Sequence, residues 1–368
     1  MTALTKLLAK TKLPSRVTSV LRTILPPPGI TQVWNFSVFG SKRTTVFGGV
    51  PDSLYHTTSL MTENLFGAED GRLQPIAADV HDRNSVAQAC AGAHSAVNAV
   101  SLYVEHGAET FRSVHVEAAE RVAGEARRAG VHLLVHVSGI GADPMSRSSY
   151  IRSRGEGGQA VRNVFPGAII LRPAVMFGPD DNFLTTLLAL LRRLPVYPMF
   201  GRGRTRLQPA FVEDVAEAIV RCIQGAEPDK TIFECAGPDV YTYAELLETI
   251  AAEAGVRPVL APMPFSLWHL LGFLGELLPS SPITRNQVEL MEIDTVASTE
   301  LPGCHDLGIS PRSIIPCCNR CSGIRGKAVE SYETADQGHS GPGCDTRPAP
   351  KTAATMRSEA ASSGGLVF

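Results

Sequence analysis

The segment HLLVHVSGIGADPMSRSSYIRSRGEGGQAVRNV, residues 132–164, joins a short apolar pattern to a longer helical one. Residues 132–137 read as a buried strand that ends at Ser138, and residues 150–164 read as a helix that begins at Tyr150. A strand followed by a helix of this length is one half of a βαβ unit.

The same alternation continues on both sides of this segment. Strand patterns lie at 44–49, 73–78, 95–100, 168–171 and 231–235, and helix patterns at 85–91, 110–129, 183–194, 212–224 and 243–254. Alternation of this kind predicts an α/β fold with right-handed crossovers. We therefore predict a Rossmann-type parallel sheet flanked by helices. Because the rhythm changes after Arg172, we also predict a smaller C-terminal substrate lobe.

The overall composition excludes several classes of protein. With 368 residues, 44% hydrophobic and 19% charged, the chain can bury a sizeable core. The formal net charge of -2 gives no bias toward nucleic acid. The 8 cysteines are unevenly spaced, which favours a reduced intracellular chain over a disulfide framework. The run CCNRC at 317–321 lacks a second well-spaced pair, so we expect free thiols there and predict no metal site.

A strand that runs into two glycines, TTVFGG at 44–49, is the candidate phosphate loop. Gly48 and Gly49 would let the backbone approach a pyrophosphate, although a glycine pair at a strand end is also common without a ligand. Only 23 residues separate Gly49 from Leu73. A helix, a strand and their connections need on the order of 40. We predict that the first helix and second strand are missing or replaced, and residues 31–39, an alternating apolar stretch, are a hypothesis for the strand position.

Two further strand ends offer candidate contacts to an adenosine. Asp79 and Val80 follow the strand at 73–78, where a carboxylate can accept a hydrogen bond from the adenine amino group. The alternative for Asp79 is a cap beside the next helix. Ala99 and Val100 end the following strand and could form a wall beside the adenosine.

The candidate active-site residues are Ser138, Tyr150 and Arg154. Tyr150 and Arg154 are one helical turn apart and share a face. In dehydrogenase chemistry a cation there lowers the phenol pKa and holds the nicotinamide ribose. Arginine can hold ribose hydroxyls, but it cannot release a proton at a useful pH. A Tyr/Arg pair at this spacing also occurs by chance, so a purely structural pair is the alternative.

The nicotinamide should meet the backbone after the strand at 168–171, where Arg172, Pro173 and Ala174 lie. Changes in composition then divide the chain into four predicted segments. These are a basic leader at 1–43, an NAD(P)-binding Rossmann core at 44–181, a C-terminal lobe at 182–315 and a disordered tail at 316–368. The leader has no acidic residue and reads as a transit peptide, a membrane-surface helix or a solvated extension without a role.

Several segments together resemble a known family. They are LVHVSGIGAD (134–143), SYIRSRGEGGQAVR (149–162), FPGAIILRPAVMFGPDDNFL (165–184), PITRNQVELMEIDTV (282–296) and LPGCHDLGI (301–309). The chain resembles the atypical short-chain dehydrogenase/reductases, and more narrowly the NAD(P)H-binding accessory subunits of respiratory complex I and their bacterial relatives. The phosphate loop and the tail depart from the family pattern.

The resemblance implies a tightly bound NADP(H) or NAD(H) in a subunit that stabilises an assembly. It assigns Gly48 and Gly49 to the phosphate loop, Asp79 and Val80 to the adenine site, Ala99, Val100 and Ser101 to the adenosine wall, and Ser138 and Tyr150 to the active site. Arg154 stands where the wider superfamily has lysine, and His115 stands where related enzymes often have a structural asparagine. Both departures argue against catalysis by proton relay.

We therefore predict an NAD(P)(H)-binding accessory or assembly subunit linked to respiratory NADH:quinone oxidoreductase, with little or no turnover. The alternatives are an NAD(P)-dependent reductase or epimerase that uses Tyr150, and a truncated inactive relative. The expected partners are the dinucleotide, complex I subunits or a quinone, without nucleic acid. Residues 265–278 read either as a helix facing a membrane subunit or quinone tail, or as a buried core helix. In a bacterium, we expect the protein in the cytoplasm, with peripheral attachment to the inner membrane as a further possibility. In a eukaryote, we expect it on the mitochondrial matrix side.

Overall fold

The computed structural model describes the backbone at 32–39, 42–49 and 73–77, and the chain at 78–105, 107–178, 182–225, 231–276 and 283–315, without the side chains at 182 and 185. The strands are β1 (Gln32–Phe39), β2 (Lys42–Gly49), β3 (Leu73–Ala77), β4 (Ser95–Val100), β5 (Leu133–Val137), β6 (Ile169–Pro173), β7 (Met176–Phe177), β8 (Val196–Phe200), β9 (Arg206–Leu207), β10 (Ala210–Phe211), β11 (Ile232–Cys235), β12 (Tyr241–Thr242) and β13 (Val259–Met263).

The α-helices are α1 (Arg83–Cys90), α2 (Ala119–Arg128), α3 (Ser149–Val164), α4 (Asn182–Arg193), α5 (Val212–Gly225), α6 (Tyr243–Glu253), α7 (Phe265–Gly275) and α8 (Arg285–Leu290). A π-helical segment, Arg112–Ala118, leads directly into α2. The long helix predicted at 110–129 is therefore present, but its first part is wound more loosely than an α-helix.

The sheet is seven-stranded, with the order β11-β6-β5-β4-β2-β1-β3. Neighbouring strands from β11 through β2 are parallel, whereas β1 is antiparallel to both β2 and β3. Because β1 reverses the direction twice, β3 again runs parallel to β2. The predicted Rossmann-type parallel sheet is confirmed, with one reversed strand inserted near an edge.

Strand β1 occupies the position between β2 and β3 that the missing second strand would take. This confirms the hypothesis for residues 31–39. The reversed direction follows from the short connection, because only residues 40 and 41 separate β1 from β2, and a parallel neighbour would need a crossover of about a dozen residues. Residues 50–72 lie outside the described residues.

Alternate residues of the central strands face opposite sides of the sheet, as the strand repeat requires. Ala96, Leu134 and Ile170 pack against the side that carries α2 and α3. The next residue in each of these strands, Val97, Val135 or Leu171, packs against α5 on the other side of the sheet. The sheet is therefore buried on both faces, which explains the continuous apolar runs in its strands.

The C-terminal lobe has its own core, in which α4, α6 and the parallel pair β8–β13 bury Leu187, Phe200 and Leu246. Helices α6 and α8 begin with capping boxes, Thr242 with Glu245 and Thr284 with Gln287, which satisfy the first free backbone N–H groups. Among the helices of the described ranges, none is both long enough and apolar enough to span a membrane.

The sheet takes strands from both sides of two predicted segment boundaries. Strand β1 lies within the predicted leader 1–43, and β11 lies within the predicted lobe 182–315. The four-segment division stays a prediction. The predicted tail, with its CCNRC run, falls outside the described residues.

Candidate functional site

A cavity of about 250 Å³ lies at the carboxyl ends of β4, β5 and β6, between the sheet and the C-terminal lobe. In doubly wound folds, ligands bind at this end of the strands. Several predicted site residues line the cavity together: Ala99, Ser101, Ser138, Tyr150, Arg154, Pro173 and Ala174. The fold therefore brings together predicted site residues that are far apart in the chain, from Ala99 to Ala174.

Arg154 links helix α3 to the end of strand β4. Its Nη2 donates a short hydrogen bond to Ser101 Oγ, and its Cζ lies 4.9 Å from the centroid of the Tyr150 ring. Both Tyr150 and Arg154 are buried. The three side chains form one polar group inside a largely apolar cavity.

The protonation state of Tyr150 follows from its burial. Burial raises the pKa of the Tyr150 phenol to about 12, and the positive charge of Arg154 only partly offsets this. At neutral pH the phenol is therefore protonated. Because an arginine side chain also keeps its proton, the pair can orient a ligand but does not supply a base.

His115 fixes the helix that carries Tyr150. Its Nε2 accepts a hydrogen bond from Leu102 N–H at 3.0 Å, so its Nδ1 carries the proton and donates to Ser153 Oγ at 2.9 Å. Ser153 Oγ in turn donates to the Tyr150 carbonyl at 2.8 Å. Burial, with the charge of Arg154, lowers the pKa of His115 well below its usual range, so the imidazole stays neutral. We infer a structural role for this residue.

Two glycines let α3 lie close against its neighbours. A Cβ on Gly157 would overlap the carbonyl oxygen of His115, and one on Gly155 would overlap the backbone at Pro144. The sequence GEGG in α3 is therefore a packing requirement, which places Tyr150 and Arg154 at a fixed depth in the cavity.

Ser138 follows β5 and lies on the cavity wall. Its hydroxyl is buried and lies 3.5 Å from the Arg154 carbonyl, which makes at most a weak hydrogen bond. Its backbone N–H donates to Leu171 at 2.7 Å, which continues the β5–β6 pairing past the end of the strand.

Among the other predicted site residues, Val100 and Arg172 are not part of the cavity wall, and Gly48 and Gly49 are described only by their backbone register. Gly48 and Gly49 end β2 in register with Ala99 and Val100 of β4, so both strand ends meet at the same edge. Val100 is buried in the core. Arg172 Nη1 lies 3.7 Å from Glu234 Oε1, outside the residues that line the cavity. Their roles as ligand contacts stay predictions.

Asp79 and Val80 lie beyond the end of β3. The exposed Asp79 accepts a hydrogen bond from His81 N–H at 2.8 Å, and Asp82 caps α1 instead. The Val80 carbonyl accepts from Arg121 Nη1 at 2.6 Å. Neither residue lines the cavity, and Asp79 is open to solvent at the side of the sheet where the adenine was predicted.

The C-terminal lobe contributes cavity residues that sequence reasoning missed. Leu207, Leu290, Met291, Ile293 and Thr295 line the side opposite the sheet. The only sequence signal of the last four was membership of the segment 282–296, and Leu207 had none, because apolar wall residues carry no pattern distinct from an ordinary core. The described residues contain no cluster of histidine, cysteine, aspartate or glutamate that could hold a metal ion.

The comparison with protein families agrees with this geometry. Residues 54–236 match the NAD dependent epimerase/dehydratase family. The match covers about half of the chain, which is similar to this family over that range. Its fold resembles that of the triphenylmethane reductase of Citrobacter sp., with a TM-score of 0.58, 13% identity, and coverage of 84% of this chain and 96% of that one.

Two mitochondrial relatives in this family share one name, NADH dehydrogenase (ubiquinone) 1 alpha subcomplex subunit 9. The mouse protein is 32% identical over 243 residues, which cover 66% of this chain and 64% of the mouse protein. The Arabidopsis thaliana protein is 28% identical over 315 residues, which cover 82% of this chain and 76% of that protein. The match to the mouse protein thus spans slightly less than two thirds of its length.

The residues around the cavity fit the dinucleotide of this family. The buried Arg154 Nε has no hydrogen-bond partner among the described residues, although it lines the cavity. A ribose hydroxyl beside α3 would satisfy it.

Proposed function

We propose that this chain is an NAD(P)(H)-binding accessory or assembly subunit of a respiratory NADH:quinone oxidoreductase, with little or no turnover of its own. The names of the mouse and Arabidopsis relatives support the partner. The observation that carries the proposal is the Arg154–Ser101–Tyr150 group, which is arranged to hold a ligand and lacks a titratable cation beside the phenol.

When bound, the dinucleotide would supply hydride chemistry, and this chain's residues would supply binding and orientation. Arg154 and Tyr150 would hold the nicotinamide ribose, and Ser101 would fix the Arg154 guanidinium. The backbone at Gly48 and Gly49 would face the pyrophosphate, and Asp79 would face the adenine. Ser138 would lie beside the nicotinamide.

Helix α7 supports association with a larger assembly. Five large apolar side chains of this 11-residue helix are exposed, between 40% and 53%: Leu267, Leu270, Leu271, Phe273 and Leu274. The expectation of a buried core helix is therefore wrong for residues 265–276, and residues 277 and 278 lie outside the described residues. An apolar patch of this kind marks a contact surface, and the proposed occupant is an apolar face of a neighbouring subunit of the oxidoreductase.

The surface is best tested with substitutions on α7 that leave the lobe packed. Trp268 is unsuitable, because its Nε1 donates to Met199 O at 3.1 Å and its ring packs on Phe200. Leu270→Gln with Leu274→Gln removes exposed apolar surface only. We expect the double variant to fold and keep its thermal midpoint, but to lose co-migration with the oxidoreductase on native gels. Retained co-migration would contradict the proposed contact, and loss of binding to protein-free vesicles instead would assign the surface to the bilayer.

The second candidate is an NAD(P)-dependent reductase or epimerase, which the placement of Tyr150 and Ser138 in one cavity favours. Its test is hydride transfer from stereospecifically deuterated NADPH to a panel of carbonyl and sugar-nucleotide substrates. Transfer that disappears in Tyr150→Phe would establish the enzyme. The accessory-subunit proposal predicts no transfer above that of the variant.

A further inference from the structure

The cavity has a composition that the dinucleotide alone does not explain. Outside the Arg154–Ser101–Tyr150 group its walls are mostly aliphatic, with Ile140 and Ile219 on the sheet side and Leu290, Met291 and Ile293 on the lobe side. Arg154 is the one charged side chain among the described residues that line it. A pocket of this composition favours an uncharged apolar ligand.

Thr295 adds a hydroxyl-bearing residue on the lobe side of this wall, which Tyr103 and Ser138 also line. The Thr295 side chain lines the cavity, and its Oγ1 is buried without a hydrogen-bond partner among the described residues. The Thr295 backbone is fully engaged, because its N–H donates to Arg206 O and its carbonyl accepts from Gln208 N–H, both in contact with β9. A buried hydroxyl left unpaired is costly, so its presence here indicates a ligand that pairs with it.

We propose that the cavity binds the apolar chain and the carbonyl group of a long-chain ketone or quinone, with the Thr295 hydroxyl donating to the carbonyl oxygen. The inference deepens the proposed function, because it names the class of molecule that lies beside the dinucleotide. It uses Thr295 and the lobe wall, and so it does not depend on a particular position of the nicotinamide.

The same observations disfavour a sugar nucleotide as the second ligand. Such a ligand carries a diphosphate and several hydroxyl groups, all of which would need donors and acceptors on burial. Arg154 Nη2 already donates to Ser101, the unpaired Arg154 Nε is proposed to hold the ribose of the dinucleotide, and the lobe wall offers one hydroxyl among aliphatic side chains. Most polar atoms of a sugar would stay unpaired there.

The position of the lobe wall agrees with entry from an apolar surface. Helix α8 carries Leu290 at the cavity, and its start packs against α7, where a Cβ on Gly272 would come within 3.0 Å of Arg285 N. Helix α7 exposes its leucines on the outside of the lobe. An apolar ligand released from a membrane or a neighbouring subunit would therefore meet an apolar surface next to the cavity.

The test compares Thr295→Val with Thr295→Ser in the full chain. Binding of decylubiquinone and of 2-tetradecanone is measured by equilibrium dialysis, with and without saturating NADPH, and UDP-glucose serves as the polar competitor. We expect Thr295→Val to weaken binding of the preferred probe about five- to tenfold, because one hydrogen bond is lost, and Thr295→Ser to keep it. The thermal midpoint of the ligand-free chain should rise or stay equal in Thr295→Val.

A second variant keeps the test decisive if Thr295→Val does not fold. Ile293→Trp adds bulk to a half-buried wall residue and should abolish binding of both apolar probes. Preference for decylubiquinone assigns a quinone as the source, and preference for 2-tetradecanone assigns a lipid ketone. Binding of UDP-glucose with neither apolar probe bound, or equal affinity in wild type and both variants, overturns the proposal. If the chain binds an apolar probe but does not bind NADPH, the result supports this inference and contradicts the proposed function.

Discussion

Gly157 of α3 lies directly against the carbonyl oxygen of His115, so closely that a Cβ atom would overlap it. This contact sets the distance between α3 and the π-helical segment that precedes α2. Because Tyr150 and Arg154 lie on the same helix, the contact also sets their depth in the cavity.

Gly157→Ala should therefore destabilise the fold by about 3 kcal/mol or more, since the obstruction is backbone and cannot rotate away. Gly158→Ala in the same helix is the matched control, because its Cβ would meet only Ile170 Cγ2, at 3.9 Å. The control should gain up to about 1 kcal/mol from helix propensity. Urea unfolding measures both, and equal effects in the two variants would contradict the packing account.

The buried His136 should make stability depend on pH below neutrality. Burial, with the charge of Arg154, lowers the pKa of His136 to about 3, from a usual value of 6.5. The unfolded chain therefore takes up a proton between these values while the folded chain does not, and the stabilising contribution is lost as the pH falls from 6.5 toward 3.

From about pH 7 to about pH 5, wild type should lose about 2 kcal/mol more stability than His136→Gln, measured by urea unfolding. Identical slopes for wild type and His136→Gln would show that the imidazole is not held neutral.

Arg154 should be required for dinucleotide affinity. Arg154→Met removes the guanidinium beside Ser101, and we expect NADPH affinity to fall about tenfold or more, since charge-assisted hydrogen bonds are lost. Arg154→Lys should keep part of the affinity. Arg152→Met loses hydrogen bonds to the Ser146 and Arg147 carbonyls and to the Ser149 hydroxyl, all outside the cavity, and should bind like wild type in fluorescence titrations. Unchanged affinity in Arg154→Met would remove Arg154 from the site.

Arg312 fastens the last described segment to the start of α5. It donates from Nε to Asp214 Oδ1 at 2.6 Å and from Nη1 to Glu213 Oε2 at 2.9 Å, and both carboxylates are buried. Arg312→Met should cost about 3 kcal/mol, because it leaves buried charges without a partner. Arg285→Met, which breaks a more exposed pair with Glu276, should cost less than about 1 kcal/mol in thermal unfolding. Equal losses would contradict the difference in burial.

The regular elements of the fold could be predicted from periodicity, and several particulars could not. Strand β5 and helix α3 lie within a residue or two of their predicted bounds, because their hydrophobic patterns are strong. The pattern at 31–39 predicted a strand, but its direction depends on the two-residue connection to β2. The π-helical winding before α2 has no composition of its own, so the sequence pattern of a helix could not reveal it.

The candidate site divides in the same way. Ser138, Tyr150 and Arg154 carry chemistry, and their spacing on a strand end and a helix predicted that they would meet. The sequence marks no chemical role for Thr295 or Ile293. These residues reach the cavity only because the lobe packs over the sheet. Arg172 shows the opposite case, since its position after β6 suggested a contact, but its guanidinium turns toward Glu234.

We propose that the chain holds an NAD(P) dinucleotide. The nucleotide content of the purified protein is the measurement that checks this first. The protein is denatured, the supernatant is separated by chromatography, and NAD(H) and NADP(H) are quantified per chain. We expect close to one dinucleotide per chain in wild type and a much lower content in Arg154→Met. An empty wild-type protein that also fails to bind added NADPH and NADH would contradict it.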